Sequence, residues 1–132
     1  MICVIDVSAA VEILLLKERG ADYKERLANA SWVLAPDLFH PEIANVFWKC
    51  CRANIVSHEE SIQLTEDGIS MVDDFTSGGE LWKEALGEGI KYKHSIYDMF
   101  YTVLARRNDA VLITRDNQLA ETASEMKIEV CT

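Results

Sequence analysis

Short apolar blocks alternate with longer stretches of helical period along this chain. Ile2–Ile5, Trp32–Ala35, Val111–Thr114 and Ile128–Cys131 have strand length and strand composition. The first block leads into Ser8, an N-cap residue type, with Val11, Leu14 and Leu15 on one face of a first helix. Gly20 ends or interrupts that helix, and Asp22–Ala30 reads as a second, more polar one. After Pro36 a longer helix begins at Asp37 or His40, with Pro41 tolerated in its first turn and Ile43, Val46, Phe47 and Cys50 on its apolar face.

The second half continues the alternation. Ser57 with Glu60 has capping-box spacing and opens a helix over Glu59–Gly68. Ile69–Phe75 carries a short strand, although Asp73 and Asp74 weaken it. Gly78 and Gly79 mark a turn before a helix over Glu80–Gly87, and Gly87–His94 reads as loop. Ser95 caps a helix over Ile96–Arg107, and Asn117–Met126 forms the last one. No repeat, low-complexity tract or linker interrupts residues 1–132, so a single domain is expected. Strands separated by helices predict an α/β fold of three layers, a mainly parallel central sheet flanked by helices through right-handed crossovers. Ligands in such sheets gather at the carboxyl ends of the strands, where Asp6 and Asp116 fall.

The bulk properties narrow the classes. The 132 residues are 49% apolar and 27% charged, enough for one domain with a real core. No apolar run approaches the roughly 20 residues of a membrane span, and the start lacks signal-peptide features. A soluble cytoplasmic protein without membrane association is the expectation. Cys3, Cys50, Cys51 and Cys131 form neither a C-x-x-C pair nor a zinc spacing. The net charge of −9 weighs against non-specific nucleic-acid binding and favours a cationic partner.

Four acids carry the candidate chemistry. Asp6 and Asp116 close apolar blocks, and Glu42 and Asp98 sit inside mostly apolar helical stretches. Each has a local reading. Asp6 and Asp116 suit helix caps, Glu42 a favourable place in a first helical turn, and Asp98 a capping box with Ser95. Gathered together they repel, at roughly 4 kcal/mol per pair at about 4 Å and an effective dielectric near 20. The partner that relieves such a cluster is a hard divalent cation with oxygen ligands, Mg²⁺ (or Mn²⁺).

The strings around these acids are Val4-Ile5-Asp6-Val7-Ser8, Pro41-Glu42-Ile43-Ala44-Asn45-Val46, Ser95-Ile96-Tyr97-Asp98-Met99-Phe100-Tyr101 and Leu112-Ile113-Thr114-Arg115-Asp116. In this order and spacing the chain resembles the PIN domain, and within it the toxin-type ribonucleases of VapBC-like toxin–antitoxin pairs. The resemblance implies that Asp6, Glu42, Asp98 and Asp116 are catalytic metal-binding residues, with Mg²⁺ or Mn²⁺ as cofactor and RNA as substrate. It gives Ser8, Asn45, Thr114 and Asn117 supporting polar roles. It also implies a homodimer, held in check by a cognate antitoxin with a basic segment, which suits the −9 charge.

Other features rank lower. His40, His58 and His94 share no metal-like spacing and read as surface or cap residues, with His94, Lys91 and Lys93 as a basic loop patch. Arg106, Arg107 and Arg115 suit RNA or a subunit contact. Trp32, Trp48 and Trp82 suit core or interface, and Trp48 a partner surface. A non-catalytic PIN-like module binding a basic protein, or scaffolding an RNA complex, is the alternative function. A phosphoacceptor receiver would need an acidic pair after the first strand, and an aspartate-nucleophile phosphatase a second Asp where Ser8 stands.

Overall fold

A computed structural model describes residues 1–132. Five strands form one sheet in the order β3-β2-β1-β4-β5: β1 (Ile2–Ile5), β2 (Trp32–Pro36), β3 (Asp74–Thr76), β4 (Val111–Ile113) and β5 (Val130–Cys131). Every pairing is parallel, so the sheet is wholly rather than mainly so. Parallel strands need long crossovers, and seven helices supply them. These are α1 (Val7–Leu14), α2 (Gly20–Ala28), α3 (Phe39–Arg52), α4 (His58–Ser70), α5 (Gly78–Tyr92), α6 (Ile96–Arg107) and α7 (Asn117–Glu125).

The chain steps outward from β1 to β2 and β3, then returns across the sheet to β4 and on to β5. Right-handed crossovers therefore put α1–α4 on one face and α5–α7 on the other. Helix α6 lies over β1, β2 and β4, and α5 packs on α6. The strand order reverses between β1 and β4. The carboxyl ends of those two strands consequently flank a crevice at the topological switch point. Cys3, Val4, Ile5, Leu112 and Ile113 are fully buried there, as expected for strands covered on both faces.

Several boundaries differ from expectation, for identifiable reasons. Asp6, not Ser8, caps α1, accepting the Ala9 N–H. The Gly78-Gly79 pair is not a turn but the first turn of α5, capped by Ser77. That helix runs on through Gly87 and Gly89, so Gly87–His94 is helix up to Tyr92 rather than loop. Buried Leu81 and Ala85 dock α5, and this packing overrides the low helix propensity of its glycines. Strand β3 starts only at Asp74 and β5 only at Val130. The Ser57–Glu60 capping box forms as its spacing indicates.

Candidate active site

Asp6 follows the last residue of the central strand, so its carboxyl group lies in the switch-point crevice and is buried. Its Oδ1 accepts hydrogen bonds from Ser8 Oγ at 2.7 Å and the Ala9 N–H at 3.0 Å. Its Oδ2 accepts one from Thr114 Oγ1 at 2.6 Å. The two hydroxyls are themselves oriented by the loop after β4. The Arg115 N–H donates to Ser8 Oγ at 2.9 Å, and the Asp116 N–H to Thr114 Oγ1 at 3.0 Å. Two backbone donors thus point two hydroxyl protons at one carboxylate. Even so, burial pushes the Asp6 pKa up to about 6, and the charge of Asp98 adds to the rise.

Glu42 lies in the first turn of α3 and is half-buried. Its Oε1 accepts from Tyr101 Oη at 2.5 Å, a bond joining α3 to α6. Burial raises the Glu42 pKa, the Tyr101 hydroxyl lowers it, and the charge of Asp98 raises it. Burial also drives the Tyr101 phenol far above its usual range, with Glu42, Asp6 and Asp98 adding to the effect. The phenol therefore remains a donor. Asp98 thus acts on both Asp6 and Glu42, and Tyr101 lies within reach of all three charges.

Asp98 does not complete a capping box, because Ser95 makes no side-chain cap bond. Its Oδ2 instead meets Nε2 of His94 at 2.8 Å, while His94 Nδ1 meets Thr122 Oγ1 at 3.1 Å. His94 is not the solvated loop residue its neighbours suggest: its side chain is 5% exposed, against 31% for Asp98. Asp116 is exposed and caps α7, its Oδ1 accepting from the Gln118 and Leu119 N–H groups. Its link to the buried acids is the backbone bond to Thr114. Asn45, one turn after Glu42, and Asn117, at the start of α7, are exposed.

Tyr101, His94 and Thr122 are the site residues that sequence patterns missed. Tyr101 lies three residues after Asp98, so the helical period places it on nearly the same face, a signal available in the sequence. Nothing in the sequence pairs His94 with Thr122, which is 28 positions away. Outside the site, Arg106 and Arg107 pair with Glu84 and Glu88, and Arg115 lies 3.7 Å from Glu12. Trp32, Trp48 and Trp82 are exposed rather than core.

The donor set suits a hard cation. It is carboxylate oxygen throughout, and the one nearby imidazole is occupied by Asp98 and Thr122. No three His, Cys, Asp or Glu side chains close into a ready cage. Mg²⁺ does not require one, since it keeps several waters and takes one or two carboxylates directly. The raised pKa values of Asp6 and Glu42 come first from burial, and the nearby charge of Asp98 adds to both. Asp6, Glu42 and Asp98 are the residues that would hold the ion, with Asp116 at the rim.

Fold and site together define an α/β protein with a cluster of acids at the carboxyl ends of a parallel sheet. The chain belongs to the PIN domain family, whose model matches residues 3–125. Over 120 residues it is 28% identical to Ribonuclease VapC3 of Pyrobaculum aerophilum, a match covering 89% of this chain and 92% of that protein. The crystal structure of PAE2754 from Pyrobaculum aerophilum shares its fold, with a TM-score of 0.76 and 20% identity over 97% of this chain and 81% of that one. VapBC-1 from nontypeable Haemophilus influenzae does so with a TM-score of 0.67 and 17% identity, over 99% and 97% of the two chains. No helix is long and apolar enough to cross a membrane.

Proposed function

We propose that this protein is a metal-dependent endoribonuclease that hydrolyses RNA phosphodiester bonds, acting in the cytoplasm as the toxin of a toxin–antitoxin pair. The observation that carries the reading is the gathering of Asp6, Glu42 and Asp98 around Tyr101 beside the central strand, with the Tyr101 hydroxyl donating to Glu42 and the charge of Asp98 acting on both other carboxyls. The similarity to Ribonuclease VapC3 supports the substrate class. A bound Mg²⁺ or Mn²⁺ supplies an activated water at neutral pH and offsets charge on the phosphoryl oxygens.

The chain's own groups hold that chemistry in place. Ser8 and Thr114 fix both oxygens of Asp6, and Tyr101 fixes one oxygen of Glu42. Asp98 and Asp116 extend the acidic surface toward solvent, where RNA approaches. Asn45 and Asn117 flank it as exposed amides available to the strand. Apolar surface at Trp82, Leu86 and Ile90 on α5, and at Trp48 and Ile62 on α3 and α4, suits a homodimer and a bound antitoxin. A basic antitoxin segment would complement the acids. The test is RNA cleavage with Mn²⁺ by the Asp6→Asn and Asp98→Asn variants. Loss of cleavage in both is expected, and undiminished cleavage in both overturns the assignment.

One observation favours a non-catalytic module that binds a basic protein. Arg106 and Arg107 are held by Glu84 and Glu88, so two candidate phosphate contacts are already engaged. Calorimetric titration with Mn²⁺ separates the readings: the nuclease binds the ion, and the module does not.

A further inference from the structure

We infer that His94 is a positioning residue for the acidic pocket, orienting Asp98 through Nε2 while Thr122 anchors its other nitrogen. The inference rests on the metal-site reading above and adds a residue to it from outside the four acids. Three features support it.

The first is the engagement of both ring nitrogens. The Asp98 carboxylate can only accept, so Nε2 carries the proton in their 2.8 Å bond. Thr122 Oγ1, at 3.1 Å from Nδ1, fixes the ring from α7. The ring plane is thereby set by α6 on one side and α7 on the other. The bond uses one lone pair of Asp98 Oδ2, and Oδ1 carries no hydrogen bond, so Oδ1 is the freer oxygen for a cation. An imidazole–carboxylate pair behind a ligand oxygen orients that ligand and tunes its basicity.

The second is local design. Helix α5 ends on Lys93 in the left-handed conformation, φ 53° and ψ 44°, and the His94 N–H turns back to the Gly89 carbonyl at 3.1 Å. A Cβ on Gly89 would lie 3.1 Å from the His94 carbonyl oxygen and 3.5 Å from Ile96 Cα. The glycine thus permits the tight α5–α6 joint that delivers His94 into the interior. A non-glycine residue in the left-handed region and a glycine inside a helix both disfavour the local structure. The joint keeps both.

The third is the helix start it replaces. Ser95 occupies the N-cap of α6 without a side-chain bond, and Asp98, at the capping-box position, turns to His94 instead. Local capping has been given up for a contact that aims the acid. A solvated histidine would leave Asp98 free to serve the helix end.

The test uses the full chain and reads Mn²⁺ binding by calorimetry, alongside unfolding stability and RNA cleavage. His94→Ala is expected to weaken Mn²⁺ binding about tenfold or more, as loss of a supporting partner behind a metal ligand does. The Mn²⁺ concentration for half-maximal cleavage should rise in parallel, with a smaller change in kcat at saturating ion. His94→Gln, whose amide N–H can still donate to Asp98, should stay within about threefold of the parent. Thr122→Val keeps the Asp98 bond but frees the ring, and should fall between the two. A merely structural histidine would lower stability and leave the Mn²⁺ constant alone. Binding within about twofold of the parent in both His94→Ala and Thr122→Val, while Asp98→Asn abolishes it, overturns the inference and leaves the nuclease reading standing. If His94→Ala does not fold, equal Mn²⁺ constants for the parent and Thr122→Val overturn it. Absence of Mn²⁺ binding by the unmodified protein overturns both.

Discussion

Replacing Asp6 by Asn should make this protein more stable, and the gain should depend on pH. The Asp6 carboxyl rises from an ordinary 3.8 to about 6 on folding, because burial outweighs the three hydrogen bonds it accepts. Between those values the folded chain holds a proton that the unfolded chain has released. Stability therefore falls as pH rises through this window, and the cost is complete above about pH 6. Two pKa units at about 1.36 kcal/mol each give a penalty of roughly 3 kcal/mol. Asn fits the same cradle. Its amide oxygen keeps the Ala9 N–H and the Ser8 hydroxyl, and its NH₂ faces Thr114 Oγ1, whose own proton turns to Ser8 Oγ, 3.2 Å away. Urea unfolding in EDTA at about pH 4 and about pH 8 measures the effect; near-parity is expected at the lower value and an Asp6→Asn advantage of about 3 kcal/mol at the higher. Saturating Mn²⁺ should return stability to the parent alone, about 2.7 kcal/mol at a hundredfold excess over its dissociation constant. A gap that does not change with pH, or one that widens in the parent's favour, would refute the account of a charge buried without compensation.

Three further outcomes follow from the same structure. Tyr101→Phe removes the donor to half-buried Glu42 and should destabilise by about 1–3 kcal/mol, more at alkaline than at acid pH because the unpaired carboxylate must ionise; thermal unfolding at two pH values checks this. Ser57→Ala breaks the capping box of α4 and should lower the unfolding free energy by about 1 kcal/mol in a denaturant titration. Gly20→Ala would improve helix propensity, yet its Cβ would lie 2.5 Å from the Glu12 carbonyl oxygen. Because that neighbour is backbone, a net loss of about 1–3 kcal/mol is expected in the same assay.

Much of the fold was legible because it is written in local periods. The four apolar blocks lie within one or two residues of β1, β2, β4 and β5, and their alternation with helices implied the parallel sheet. The placement of Asp6 at a strand end followed from that pattern alone. What stayed hidden depends on contacts across the sheet. The glycines of α5 read as breakers because nothing local reveals that Leu81 and Ala85 hold the helix to α6. His94, preceded by Lys91 and Lys93, reads as solvated because its partner Thr122 arrives from a later helix. The residue type of Ser8 suits a cap, whereas its hydroxyl donates to Asp6.

The position of β1 in the middle of the sheet has a consequence for how the molecule comes into being. Asp6 is made well before one of its hydroxyl donors, which lies 108 positions downstream. Until Val111–Ile113 has been translated, β1 has only β2 beside it and its other edge stays bare. The pocket cannot close on a partial chain. A nascent copy therefore lacks an assembled acidic centre until β4 and Thr114 have been made.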